Sequence, residues 1–164
     1  MDLSLDEIER RMRPGEFSQA GFLGWDESLA DVLAQDARVL HELGITAVDL
    51  ASALEDLLAA ALSGDPPHNQ REGYLVDIHL TPGFQICPFA PDPDHAQCTA
   101  GGGVRFGSVD WRIRNKRTGQ RLKGPGLITH LIRAHGFFEG TGTPYRVDPA
   151  GLARLLELGP FARA

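Results

Sequence analysis

The stretch from Cys87 to Cys98, CPFAPDPDHAQC, and the stretch from His130 to His135, HLIRAH, decide how we expect this chain to fold. The first contains both cysteines of the sequence, and the second contributes two of its six histidines. Thiolate sulfur and imidazole nitrogen are the ligands that zinc prefers in proteins. The residues that begin and end these two stretches therefore predict a four-ligand zinc site.

The same residues have alternative roles. Two cysteines among 164 residues are too few for a disulfide framework, although they could be buried thiols or one disulfide. The loop that ends at Cys98 is rich in proline and poor in apolar residues, so a metal would supply a constraint that packing does not. We therefore favour zinc. His95, or His79 on the polar side of its strand, could replace one of the two helix histidines.

The spacing of the helix histidines requires an adjustment of the helix. Residues five apart lie about 140° apart around an ideal helix axis, so a regular helix would splay His130 and His135. Convergence on one ion predicts a loosened last turn. Gly136, directly after His135, would allow it.

The number of ligands separates a structural zinc from a catalytic one. Four protein ligands close the site, whereas three leave a position for water. A general base would also be needed, and Glu139, Asp92 and Asp94 are the nearest carboxylates in the sequence. The chain has neither the His-Glu-x-x-His motif nor the zinc-deaminase signature. We expect a non-enzymatic, zinc-stabilised binding or adaptor protein; the alternative is a metal-dependent hydrolase or nuclease with water in place of Cys87 or His135.

The remaining pattern predicts an α+β fold in two parts. Residues 1–65 are predicted to be an acidic helical region, in which two amphipathic helices joined near Gly44 form a helical hairpin. Residues 73–164 are predicted to be a small zinc-stapled domain of β-hairpins and helices. The polar, proline-containing segment between these parts is the predicted boundary.

Two β-hairpins are expected in the second part. Residues 74–80 alternate between apolar and polar side chains. Residues 81–83, Thr-Pro-Gly, predict a turn, and residues 84–87 would return along the first strand. Residues 109–113 and 120–123 predict a second hairpin.

Two helices complete this part. Gly124-Pro125 predicts a helix start, with proline at the first helical position, and Gly136 predicts its end. Asp148-Pro149 predicts the start of a last helix in the same way.

The segment from Cys87 to His135 resembles the two-Cys, two-His ββα zinc-binding domain, in which a hairpin supplies two cysteines and the next helix two histidines. It covers under a third of the chain, and the spacing between the histidines is the part that matches. Ten residues separate the two cysteines and thirty-one separate Cys98 from His130, whereas the family has two to four and about a dozen. The resemblance implies a ligand set and a ligand-bearing helix, not DNA reading.

Charge is unevenly distributed along the sequence. Residues 1–65 carry fourteen acidic and four basic residues, a net charge of −10, and residues 66–164 carry eight and twelve, a net charge of +4. Such a basic region is either balanced by the acidic helices of the same chain or contacts an anion. The side chains expected to contact an anion or nucleic acid are Arg112, Arg114, Lys116, Arg117 and Arg121.

The sequence also limits the classes of partner that we expect. We expect another protein as the partner, and nucleic-acid binding through residues 105–123, with Trp111 and Phe106 stacking on bases, is an alternative. No apolar run approaches the roughly 18 residues that a transmembrane helix needs, so no membrane partner is expected. The first fourteen residues lack the apolar core of a signal peptide, and we expect a cytoplasmic protein.

Overall fold

The computed structural model describes residues 3–62, 73–91 and 106–163, and these form an α+β fold. Their helices and strands are α1 Leu5–Arg11, α2 Leu29–Leu43, α3 Ala47–Leu62, β1 Tyr74–Gln85, β2 Phe106–Asn115, β3 Arg121–Pro125, α4 Ile128–His135 and α5 Pro149–Leu156. A short 3₁₀ helix, Gly159–Phe161, follows α5. The predicted ligand Cys98 and its possible substitute His95 lie outside the described residues.

Local hydrogen bonds and one glycine set several of the helix ends. Ser4 accepts a hydrogen bond from the Glu7 amide at the start of α1. Thr46 and Asp49 bond each other's amides at the start of α3, both at 3.1 Å. Gly44 ends α2 with a φ of 68°, in the left-handed region that favours glycine. The bonds between Thr46 and Asp49, together with Gly44, set the short connection between α2 and α3.

The three strands form one antiparallel sheet in the order β1-β2-β3. The prediction of a turn at residues 81–83 is wrong, because β1 continues through this segment to Gln85 and pairs with β2 on both sides of it. The register shifts between Thr81 and Phe84, so a bulge absorbs the Pro-Gly pair. Cys87 therefore follows a long first strand instead of closing a separate hairpin.

The start of α4 also differs from the prediction. Gly124 and Pro125 belong to β3, where they pair with Trp111 and Asp110, and the helix begins only at Ile128. A Cβ at Gly124 would lie 2.6 Å from Cζ2 of Trp111. The glycine is therefore required for close contact of β3 with the tryptophan, and it does not act as a helix signal.

The core lies between the inner face of the sheet and the helices. Trp111 is fully buried there, and its indole nitrogen donates to the Pro125 carbonyl oxygen at 2.9 Å. Tyr74 and Asn115 both donate to the Leu155 carbonyl oxygen of α5, each at 2.9 Å. Buried side chains from both predicted parts of the chain belong to a single hydrophobic cluster.

Within the described segments, two ion pairs connect the acidic helices to later parts of the chain. Arg133 of α4 contacts Glu55 of α3, with its Nη2 2.7 Å from Oε2 and its Nε 3.1 Å from Oε1. Arg146 binds both carboxylate oxygens of Asp36 in α2, at 2.8 and 2.9 Å. Part of the basic charge is therefore balanced by the acidic helices of the same chain. No helix of the described segments is long and apolar enough to span a bilayer.

Candidate metal centre

The structure brings three of the four predicted ligands together. Cys87 lies just after β1, His130 in the first turn of α4, and His135 at the last residue of that helix. Their sulfur and ring nitrogen atoms all lie within 4.8 Å of one another. Cys87 Sγ and His135 Nε2 are 3.4 Å apart. The segment just after β1, the first turn of α4 and the last residue of α4 therefore place three donor atoms close together.

The helix histidines converge without the predicted change in the backbone. The last turn keeps a regular bond from the Gly136 amide to the Ile132 carbonyl, and the next amide bonds to Leu131. The two imidazole rings are nevertheless 5.1 Å apart between centroids, with an interplanar angle of 79°. The prediction of a loosened turn is wrong, because the side chains make up the angular difference that the backbone would otherwise have to absorb.

Burial sets the protonation of both imidazoles. Removal from water lowers the pKa of His130, and it lowers the pKa of His135 to about 4, with a smaller contribution from neighbouring His130. Both rings are therefore neutral at pH 7. A neutral imidazole keeps the lone pair that a metal requires.

An aromatic side chain covers the cluster. The ring of Phe89 stacks on His135 at a centroid distance of 4.0 Å and an interplanar angle of 9°. The same ring contacts Phe137 edge-on at 5.7 Å. The stacking of Phe89 fixes the orientation of the His135 ring. Residues that surround metal ligands commonly orient them in this way. The position of Phe89 two residues after Cys87 is the sequence signal that points to it.

The donor set fits a zinc ion. Zinc–sulfur and zinc–nitrogen bonds of roughly 2.3 and 2.1 Å in a tetrahedron place neighbouring donors about 3.4–3.8 Å apart. The 3.4 Å between Cys87 and His135 already lies in that range. The three described donors could hold a metal, and a tetrahedral shell would need one more ligand.

The other sequence candidates lie elsewhere. His79 is exposed on the outer face of the sheet, opposite Asp110, and is not part of the cluster. Glu139 is buried but does not join the clustered groups, while Asp92 and Asp94 lie outside the described residues. No carboxylate of the described residues accompanies the three donors.

The predicted basic side chains divide into two groups. Arg112, Arg114 and Arg121 lie on the exposed outer face of the sheet, whereas Lys116 and Arg117 lie at the turn between β2 and β3. Arg117 pairs with Glu157. Lys123 lies on the same outer face and was not predicted. Its position two residues after Arg121 in β3 could have indicated this, because alternate residues of a strand share a face. The prediction of Trp111 as a stacking group is wrong, because its ring is fully buried under the sheet.

Comparisons with known proteins add no relative. No family model, no curated protein and no solved structure matches this chain.

Proposed function

We propose that this chain is a non-enzymatic binding or adaptor protein in which a zinc ion, held by Cys87, His130 and His135, ties the end of β1 to α4. The convergence of one sulfur and two imidazoles within 4.8 Å carries the proposal. Cys98 is the proposed fourth ligand. A cytoplasmic location suits it, because a reducing environment keeps both thiols available to a metal.

The surroundings of the three donors favour a structural role for the metal. Cys87 and His130 are buried, and Phe89 stacks on His135. A hydrolytic zinc needs a water position and a base, and no described carboxylate belongs to the cluster. The ion would supply a Lewis acid that cross-links two segments. The protein partner then contacts a surface whose shape depends on this cross-link.

Proton release on zinc binding distinguishes a closed site from an open one. Both imidazoles are neutral at pH 7, because burial lowers the pKa of His130 and of His135. Only the thiols then lose protons when they bind zinc as thiolates. We expect roughly two protons released per zinc in the wild-type chain and about one in a Cys98→Ser variant. Calorimetric titration of metal-free protein in buffers of different ionisation enthalpy measures both values.

The alternative outcomes are distinct. Release of about one proton by both proteins would exclude Cys98 as a ligand, and the proposed four-ligand site would then be wrong. His41→Gln is the matched control, because His41 is exposed in the last turn of α2, far from the cluster in sequence and outside it in space. This variant should release as many protons as the wild type.

A second candidate function rests on the outer face of the sheet. Arg112 lies directly opposite Lys123, and Arg114 directly opposite Arg121. Like charges in facing positions of a sheet repel and destabilise the pair. None of these four cations forms an ion pair with a side chain in the described part of the chain. An anionic partner would relieve the repulsion, and we propose the phosphates of single-stranded nucleic acid.

This second candidate predicts a salt dependence of defined size. Four phosphate contacts to a single strand give a slope of about −3 in a plot of log affinity against log salt concentration. Arg114→Gln should reduce the slope by about 0.7, whereas Arg38→Gln, on the exposed face of α2, should not change it. Fluorescence anisotropy of a labelled oligonucleotide measures the slope. Absence of binding at low salt would eliminate this candidate.

A further inference from the structure

Glu139 is buried under two unfavourable conditions. Its backbone has a φ of 65°, in the left-handed region that side-chain-bearing residues rarely adopt. Only 2% of the residue is exposed, yet its carboxyl group has no hydrogen bond or ion pair within the described segments. Each condition costs free energy. Their coincidence at one residue points to a role that folding alone does not explain.

The surrounding structure holds Glu139 in this conformation. Arg146 donates from Nη1 to the Glu139 carbonyl oxygen at 2.7 Å, and the same guanidinium binds the buried carboxylate of Asp36. On the other side, the Gly140 amide donates to the Phe22 carbonyl oxygen at 2.8 Å. The backbone of Glu139 is therefore fixed from both sides, and its carboxyl group is left unpaired.

Glu139 lines a cavity of about 310 Å³. Its apolar walls include Phe17, Phe22 and Leu127, and Asp110 contributes a second carboxylate. Among the residues that the structure describes, no lysine or arginine lines it. Ligand pockets in proteins have volumes of roughly 300–1,000 Å³, so this one has room for a small molecule only. Apolar walls, an unpaired carboxyl group and the lack of a cation among the described lining residues form a site that is complementary to a small organic cation.

We propose that this cavity binds a small organic ammonium ion, whose N–H groups donate to the Glu139 carboxylate while its apolar part packs against Phe22 and Leu127. The ammonium supplies the hydrogen bonds that the buried carboxylate lacks. The aromatic walls add an attraction for the cation. This site is separate from the metal centre, and the inference does not depend on zinc.

Protonation of Glu139 gives the proposal a second readout. Burial raises the pKa of Glu139 to about 8, so its carboxyl group is mostly protonated at pH 7. Pairing with an ammonium favours the carboxylate, so binding should release a proton. Within the described segments, the other charged or titratable groups around it are Asp110 and Tyr145 on the cavity wall, Arg146 with its partner Asp36, and Glu27, which binds the loop at residues 141–142.

Benzylammonium is a suitable probe, with benzyl alcohol and benzamide as neutral molecules of the same shape. We expect benzylammonium to bind the full chain saturably in calorimetric titration at pH 7, with release of a proton, and the neutral probes to bind at least tenfold more weakly. Glu139→Gln should weaken benzylammonium binding at least tenfold. Asp77→Asn is the matched control, because Asp77 lies exposed on the outer face of the sheet, and it should leave binding unchanged.

Three results would overturn the proposal. They are no benzylammonium binding to the wild-type chain at millimolar concentration, equal binding of the neutral probes, and unchanged affinity in Glu139→Gln. The comparison of charged and neutral probes on the wild-type chain does not depend on how any variant folds. A tight benzamide complex would instead indicate a site for an uncharged hydrogen-bonding ligand.

Discussion

Replacement of Asp36 by alanine should lower the free energy of unfolding by about 3–5 kcal/mol. It leaves the buried charge of Arg146 with only the exposed carboxylate of Asp148, 3.7 Å away, as a partner. Asp36 is 2% exposed, and both of its carboxylate oxygens bind the Arg146 guanidinium. Burial alone would lower the pKa of Arg146, but the hydrogen bond and charge of Asp36 raise it above its ordinary value. The pair therefore connects α2 to the connection between α4 and α5 and fixes the Glu139 carbonyl.

Urea denaturation of the wild-type chain and the Asp36→Ala variant measures the difference in their free energies of unfolding. Asp31→Asn on the exposed face of α2 is the matched control and should cost well under 1 kcal/mol, as surface changes usually do. A double variant that also replaces Arg146 by methionine should recover part of the loss, since it removes the buried charge that Asp36→Ala leaves behind. A loss below about 1 kcal/mol in Asp36→Ala would show that the pair contributes little.

Glu139→Gln should stabilise the chain at pH 7, and by more as the pH rises. Burial raises the pKa of the folded carboxyl group from 4.5 to about 8. Between these values the folded chain binds more protons than the unfolded chain, so stability falls with rising pH. Glutamine keeps the shape and removes this dependence. At pH 7 the expected gain is up to roughly 3 kcal/mol, discounted for any water that enters the cavity.

Denaturation of both proteins at pH 5, 7 and 8.5 tests this prediction. The difference between wild type and variant isolates Glu139, because every other titrating group, including the histidines, is common to both. The difference should be small at pH 5 and largest at pH 8.5. A difference that does not vary with pH would mean that the carboxyl group ionises in the folded chain as it does in water.

The local part of the fold could be predicted from the sequence. Ser4 and the pair Thr46 and Asp49 mark helix starts because each side chain bonds an amide three residues away, so the signal and the structure lie in one turn. Gly44 and Gly136 mark helix ends because the left-handed conformation there suits glycine.

Pairing between strands caused two of the errors. The Pro-Gly pair at residues 82–83 is typical of a turn, but β2 supplies hydrogen-bond partners on both sides of it and holds β1 extended. Pro125 is typical of a helix start, yet residues 110–114 of β2 pair with residues 121–125 and place Pro125 in a strand. In both cases a tertiary contact overrode the local preference.

The metal centre could be predicted from the sequence, whereas the Glu139 cavity could not. Cys87, His130 and His135 were predicted together because few side chains bind zinc and their types are visible in the sequence. The Glu139 cavity could not be predicted, because its walls come from residues 17–22, β1, β2 and the segment after β3. Their proximity is a product of the whole fold.

The zinc content of the purified chain is the direct test of the proposed metal centre. Elemental analysis of protein prepared without chelators should give one zinc per chain, and X-ray absorption should show sulfur at about 2.3 Å and nitrogen at about 2.0–2.1 Å from the metal. Cys87→Ser should lose the zinc, and His41→Gln should keep it. A zinc content well below one per chain, or a coordination shell made of oxygen alone, would show that Cys87, His130 and His135 do not hold a zinc ion.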